Sequence, residues 1–427
     1  MTRTRGIIQV TAGIVALVII TSTTIQVGAD SAAVLPANVS RAYWDFYHYQ
    51  PTTQRYNQDG DREDLAFPFT NAALDSSILT SLAPLDLLVG GTASIGDVSV
   101  AYKYDIDVLD AGYSYGISDR LTVGVHLPYY WITNNVDASF DSTSANVGLN
   151  PSTGACCIPI SAGGLPMDTD DVQNLISSEY GFSKIETWQE EGVGDIELGM
   201  KYQLFVEDTS AFAITSGLRI PSGYEDDADV LNDVPWSYGN YALLLRLHYD
   251  YLIRDLWKPK STKLHQGIPT AGDVIFNLTF RYDYMLPDKK WMRVGDSPSQ
   301  IFTNNREKVS RKLGDLFNIE VSAKYQMTSA IALTGLYTYG FKLKDNISGE
   351  MGYNYESLEA NTDSSQHVIV LAASYSTLAA YSEKQFSVPM QIDIAFRNRF
   401  AGEGPRNGQA NPVLDTSWVV VGMKFLF

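Results

Sequence analysis

Apolar and polar residues alternate in twos along most of this chain. In the run from Tyr241 to Arg254, Tyr241, Leu243, Leu245, Leu247, Tyr249, Tyr251 and Ile253 share one side, and Arg246, His248, Asp250 and Arg254 share the other. The next run sets Val274, Phe276, Leu278, Phe280, Tyr282 and Tyr284 against Ile275, Asn277, Thr279, Arg281 and Asp283. Phe317, Ile319, Val321, Ala323 and Tyr325 oppose Asn318, Glu320, Ser322, Lys324 and Gln326. Val388, Met390, Ile392, Ile394 and Phe396 oppose Gln391, Asp393 and Arg397. A period of two is the signature of a strand, whose successive side chains leave opposite faces.

Such alternation also fits a half-solvated sheet in a soluble sandwich. Three features favour a membrane barrel instead. The runs reach 10 to 14 residues, whereas soluble strands average about five or six. Tyrosines, 26 in all, gather near the run ends, where a bilayer places its aromatic girdles. The polar face carries both signs of charge, which a dry core rejects and a wet lumen accepts. The final run, Trp418 to Phe427, fits the same picture. Val419, Val421, Met423, Phe425 and Phe427 form one apolar face that needs lipid outside it and a partner for its edge.

The connectors divide into two kinds. Tyr115–Leu121, Val206–Phe212 and Tyr325–Ile331 hold short turns, while 134–191, 221–236, 286–314, 344–364 and 402–415 are long and polar. Short periplasmic turns and long extracellular loops are the outer-membrane arrangement. Counting back from the C-terminus gives eleven strands after Gly96, and an even total takes one more from Arg41–Gln50. The expected fold is all-β, a transmembrane antiparallel β-barrel of about 12 strands, with 14 as the alternative. The remaining residues to about Ile95 are irregular and are expected either to stay outside the barrel or to enter its lumen as a plug.

Composition alone points elsewhere: mean hydropathy is −0.10 and net charge −18, as in an acidic soluble protein. The first residues change this. A basic start (Arg3, Arg5), an apolar Gly6–Ile20 and small residues Val27 and Ala29 form a secretory leader cut after Ala29. The expected division is thus leader 1–29, N-terminal segment 30–95 and barrel 96–427. The acidic balance argues against nucleic acid. Cys156 and Cys157 are neighbours, either bridged or plain thiols, without the spacing of a metal or haem site.

Some motifs invite sharper readings. GYSYG, Gly112–Gly116, matches a nucleophile elbow, but a turn and a second strand follow where a helix is required. Pairing Tyr115 with Leu121 would set Asp110 opposite His126 and Ser114 opposite Thr122. Ser114 then lies about 13 Å from His126, too far for a general base. Asn57–Asp64 resembles a calcium loop whose glycine, Gly60, is misplaced, so a tight Asp-Gly turn is expected. The acidic stretch Ser222–Pro235 is expected outside the membrane. Its Glu225, Asp226, Asp227, Asp229 and Asp233 form either a solvated loop or a weak cation site. The candidate lumen-lining residues are Arg246, His248, Asp250, Arg281, Asp283, Glu320, Lys324, Asp393 and Arg397. They read either as a charge-balanced wet wall or as a selective constriction. A wet wall predicts that Arg246→Leu hardly affects folding.

GMKFLF resembles the C-terminal signal of outer-membrane barrels, with Gly422 followed by aromatic Phe425 and Phe427; Val420 stands where a polar residue is usual. Asp110–Trp131, Gly192–Phe205 and Leu218–Asp227 resemble repeated phrases of the barrels of the MetA-pathway of phenol degradation, relatives of the long-chain fatty-acid transporters. The resemblance covers Asp97 to the C-terminus and lacks the transporters' N-terminal Asn-Pro-Ala plug motif; Leu35–Ser40 is the nearest text. It implies passive uptake of small hydrophobic or aromatic compounds across the outer membrane, without a cofactor. A general porin for hydrophilic solutes is the alternative, followed by a lipid-modifying enzyme or an adhesin. The expected partners of this monomer are outer-membrane lipid and lipopolysaccharide, the insertion machinery and a small-molecule solute.

Overall fold

The structure, a computed structural model, describes residues 30–67, 69–253, 264–265, 269–298, 300–404 and 413–427. The expected leader and its cleavage point at Ala29 lie outside these residues, as does Arg254.

Twelve antiparallel strands close into a barrel. They are β1 (Ser40–Tyr49), β2 (Ser94–Ser118), β3 (Leu121–Asp141), β4 (Ile196–Val206), β5 (Ser210–Ile220) and β6 (Ala242–Ile253). The circuit continues through β7 (Val274–Met285), β8 (Leu316–Gln326), β9 (Ile331–Lys342), β10 (Ser364–Ser376), β11 (Met390–Glu403) and β12 (Ser417–Leu426). Every strand pairs with its neighbours in sequence, and β12 returns to β1 in register from Arg41–Leu426 to Tyr49–Trp418. The main chains of Ser40 and Phe427 exchange hydrogen bonds of 2.7 and 3.0 Å at the seam. Closure satisfies every strand edge, as a bilayer requires. The twelfth strand is the one expected near Arg41–Gln50.

The period-two pattern decides the facing. On β6, Leu243, Leu245, Tyr249, Tyr251 and Ile253 are exposed on the outer face, while Leu244, Arg246, His248, Asp250 and Leu252 are buried inside. Tyr202, Tyr249, Tyr251, Tyr325 and Tyr375 stand exposed toward the tight-turn end, the place for an interfacial girdle. Three turns at that end are as short as expected. The connection between β10 and β11 is longer and carries a helix, Leu378–Ser382.

The β2–β3 hairpin is tighter than expected. Asp119 and Arg120 alone form its turn, so Ser118 pairs with Leu121 and Tyr115 with Val123, with a register shift between Gly116 and Ser118. Asp110 therefore opposes Pro128 and Ser114 opposes Gly124. The Asp110–His126 contact survives diagonally, at 2.7 Å. GYSYG lies within a straight strand, and Ser114 Oγ accepts a bond of 3.3 Å from Arg41.

Strands β2 and β3 run 25 and 21 residues, about twice what a bilayer needs. Their surplus carries a cap at the long-loop end. Strands Ala72–Asp75 and Trp188–Val193 pair onto them, and Leu65, Phe69, Leu79, Leu82 and Phe302 pack with helix α1 (Thr169–Tyr180) in one apolar cluster. A reciprocal cap between Asp168 and Asp171 fixes the start of α1. The N-terminal segment thus divides: residues 30–35 are buried inside the barrel, whereas 50–67 and 69–93 join the cap. Asn57–Asp64 is the expected turn, with Gly60 at φ +80° and Asn57 Oδ1 accepting from the amides of Asp59 and Asp61. Cys156 and Cys157 are bridged, within the short strand Cys156–Pro159.

Candidate functional site

All nine lumen candidates face inward, and most are engaged in ion pairs or hydrogen bonds there. Toward the tight-turn end, Asp250 is fully buried and is held by four groups. The Ala32 amide donates to it at 2.9 Å, Ser31 Oγ at 3.0 Å and Asn277 at 2.6 Å, and His265 lies 2.7 Å away. Asp30 sits 3.2 Å from Lys201, 3.7 Å from His248 and 3.6 Å from Arg281. Lys201 also donates to the Ser31 carbonyl at 2.7 Å, and Gln203 to that of Ala32 at 3.0 Å. The plug is therefore a short extended segment clamped by charged groups of β4, β6 and β7. The charges the chain places inside are used to hold it.

Above this clamp is a waist of ion pairs. Glu197 bridges Arg219 at 3.0 Å and Arg246 at 2.8 Å, Arg219 continues to Asp283 at 2.5 Å, and Arg281 pairs with Glu320 at 3.0 Å. Arg246 and Arg281 are directly opposed across β6 and β7; their separate carboxylates make the juxtaposition tolerable. His248 bonds Thr215 at 2.9 Å and Thr279 at 3.3 Å. The charges of the waist are balanced in pairs, as a charge-balanced wall requires, and burial makes such pairing necessary. Asp393 forms a second, separate pair with Lys424 at 2.8 Å. The Arg397 guanidinium carbon lies 5.8 Å from the Tyr47 ring. Lys324 makes no ion pair among the described residues.

Between the waist and the long-loop end lies a cavity of about 470 Å³. Tyr49, Tyr104, Tyr130, Trp236, Ile106 and Val108 supply an aromatic and aliphatic wall. The floor and far side hold Arg219, Arg246, Arg281, Lys342 and Arg399 with a single acid, Asp283. Tyr130 stacks on Trp236 at 5.7 Å, and Tyr49 on Trp418 at 5.0 Å, so the wall is rigid. Arg399 donates to Gln366 at 2.8 Å and to the Leu414 carbonyl at 2.7 Å.

Glu197, Lys201 and Arg219 escaped the lumen candidates, although Leu198, Met200, Tyr202 and Leu204 alternate with Glu197, Gly199, Lys201 and Gln203 as plainly as any run. Asp30 gave no periodic signal, because it lies in no strand.

The acidic stretch lies at the long-loop end, where most of its carboxylates meet basic residues or accept hydrogen bonds. Glu225 and Asp226 approach Lys290 at 3.7 and 3.8 Å, and Asp229 binds Arg293 at 2.7 Å and Arg306 at 2.9 Å. Asp233 accepts from Tyr224 at 3.0 Å and from the Asp227 amide at 2.8 Å. No cluster among the described residues could hold a metal. Basic residues of 290–306 supply the charge that a cation would have supplied. Burial, with Asp226 nearby, pushes the Asp233 carboxyl up to about 7.

No family model and no curated protein matches the chain. Among solved structures, an outer-membrane channel from Pseudomonas putida F1 superposes with a TM-score of 0.50 at 11% identity, over 94% of this chain and 100% of that one. A mutant of the TodX monoaromatic hydrocarbon channel gives 0.33 at 10% identity, over 92% and 91% of the two chains. The translocator domain of the autotransporter NalP from Neisseria meningitidis gives 0.35 at 8%, over 92% and 89%. The first similarity establishes the fold: this is a closed antiparallel β-barrel of the transmembrane kind, as the alternation implied. The other two superpositions are too loose to carry an argument.

Proposed function

We propose that the protein is an outer-membrane channel for passive uptake of small solutes with an apolar or aromatic body, in a Gram-negative bacterium. One observation carries the reading: an aromatic-walled cavity of about 470 Å³ stands above a waist closed by ion pairs and by residues 30–35. A cavity that size suits a single small ring compound. Solute collects there from the long-loop side, and passage requires the N-terminal segment to shift. A general porin would need an open aqueous bore, and the clamped segment argues against one.

The test uses the purified full chain. Titration with benzyl alcohol should show saturable binding, weakened roughly tenfold by Asn318→Trp, which fills the cavity. Proteoliposomes should not swell rapidly in sucrose. Fast sucrose entry together with no benzyl alcohol binding would establish the porin instead.

A further inference from the structure

The cavity's charge is not spent evenly. Four of its five cations are neutralised nearby: Arg219 and Arg246 by Glu197, Arg281 by Glu320, and Lys342 by Asp345. Arg399 is the exception. Its two hydrogen bonds go to an amide oxygen and a main-chain carbonyl, both neutral acceptors. Asp415 attracts it only from beyond ion-pair distance and is itself engaged by Arg62 at 2.9 Å and by Tyr56 at 3.0 Å. Among the described residues, no carboxylate lies within ion-pair distance of the Arg399 guanidinium. A guanidinium has five N–H donors in a flat fork; Nε is taken by Gln366 and one Nη1 hydrogen by Leu414, so Nη2 and the second Nη1 hydrogen remain for a ligand. The Trp418 ring stands 5.8 Å from its central carbon, and the Trp418 indole N–H has no acceptor among the described residues.

A fixed guanidinium with no carboxylate in contact, facing an aromatic wall, has a definite complement. A flat fork matches a carboxylate, and the Tyr49 side of the cavity matches a ring. We propose that the cavity selects aromatic carboxylates over neutral aromatics, with Arg399 binding the carboxylate and Gln366 holding Arg399 in position. This rests on the channel reading above and names its solute class. In a chain of net charge −18, a lone cation placed here is a local reversal of sign, and it favours an anion that the rest of the surface does not attract.

Three isosteric probes separate the possibilities: benzoate, benzyl alcohol and benzylamine, titrated into the wild-type full chain in detergent. Benzoate should bind at least roughly tenfold tighter than benzyl alcohol, as a charge-assisted bond to a buried partner allows. Benzylamine should bind weakest. Raising the salt concentration should erode only the benzoate affinity. Arg399→Gln should bring benzoate down to the level at which the same variant binds benzyl alcohol, while Arg399→Lys should restore part of the preference. Heat-modifiability on gels confirms that each variant is folded, and the wild-type ratio stands as a test without any variant. Equal binding of benzoate and benzyl alcohol would overturn the carboxylate proposal and leave the aromatic channel intact. Binding of none of the three would remove both.

Discussion

Asp250 on β6 accepts the main-chain amide of Ala32 at 2.9 Å, joining the barrel wall to a segment more than two hundred positions earlier in the chain. Asp250 is completely buried, and its other contacts are Ser31, Asn277 and His265. Asp250 thus anchors one side of the clamp, beside the contacts that Lys201 and Gln203 make. Asp250→Ala should free the segment and raise single-channel conductance in planar bilayers. Ala32→Pro tests the same bond without touching the wall, because proline lacks the N–H that donates. Conductance unchanged in both variants would show that the segment does not close the lumen.

Neighbouring residues on β6 should respond for different reasons. Leu245→Arg puts a charge on the lipid face, at a cost of about 2–4 kcal/mol near mid-bilayer. Arg246→Leu is neutral only if the lumen is wet. Because Arg246 pairs with Glu197 at 2.8 Å inside the barrel, its loss should also destabilise, by less than the about 3–5 kcal/mol of a wholly orphaned buried charge, since Arg219 still holds Glu197. Urea unfolding from liposomes measures both. A neutral Arg246→Leu would favour the wet-wall picture.

The barrel was legible because each strand must sort its residues between lipid and lumen, and that sorting writes itself as alternation. Leu243, Leu245 and Tyr249 against Arg246, His248 and Asp250 is sufficient to orient β6. What alternation cannot convey is which inward charges meet. Arg246 finds its partner Glu197 two strands away, with β5 between them, and Asp30 finds Lys201 from a segment without periodicity. Nor can it show that residues 30–35 go to one end and 50–67 with 69–93 to the other, since both stretches are irregular. The hairpin register failed by two residues because turn length, not pattern, sets it; the two-residue Asp119–Arg120 turn pulled every pair along.

The acidic loop should tighten as pH falls. Its Asp233 carboxyl is raised to about 7, first by burial and then by the Asp226 carboxylate. The docked loop therefore holds the proton more strongly than a released one, so docking weakens as pH rises from the ordinary carboxylate range through about 7. Limited proteolysis within Ser222–Pro235 should be slower at pH 5.5 than at pH 8, and Asp233→Asn should flatten the difference. Faster cleavage at the lower pH would contradict the sign.

The end of the chain makes the remaining prediction. Phe427 is 68% exposed on the outer face, 6.4 Å from the Tyr113 ring, and its main chain closes the seam with Ser40. Phe425 packs against Trp44 at 5.1 Å on the same outer face. Outward aromatics on the closing strand therefore serve both the lipid interface and the β1–β12 seam. Phe427→Lys keeps the main-chain bonds and replaces the ring with a charged chain. Were the seam's backbone pairing sufficient, the variant would assemble normally. If the outward ring is needed for recognition or for anchoring at the interface, folded, heat-modifiable protein in the outer membrane should fall sharply. In that case Phe427→Tyr, which keeps an aromatic ring suited to the interface, should restore it. Normal assembly of Phe427→Lys would reduce the terminal aromatic to a passive surface residue.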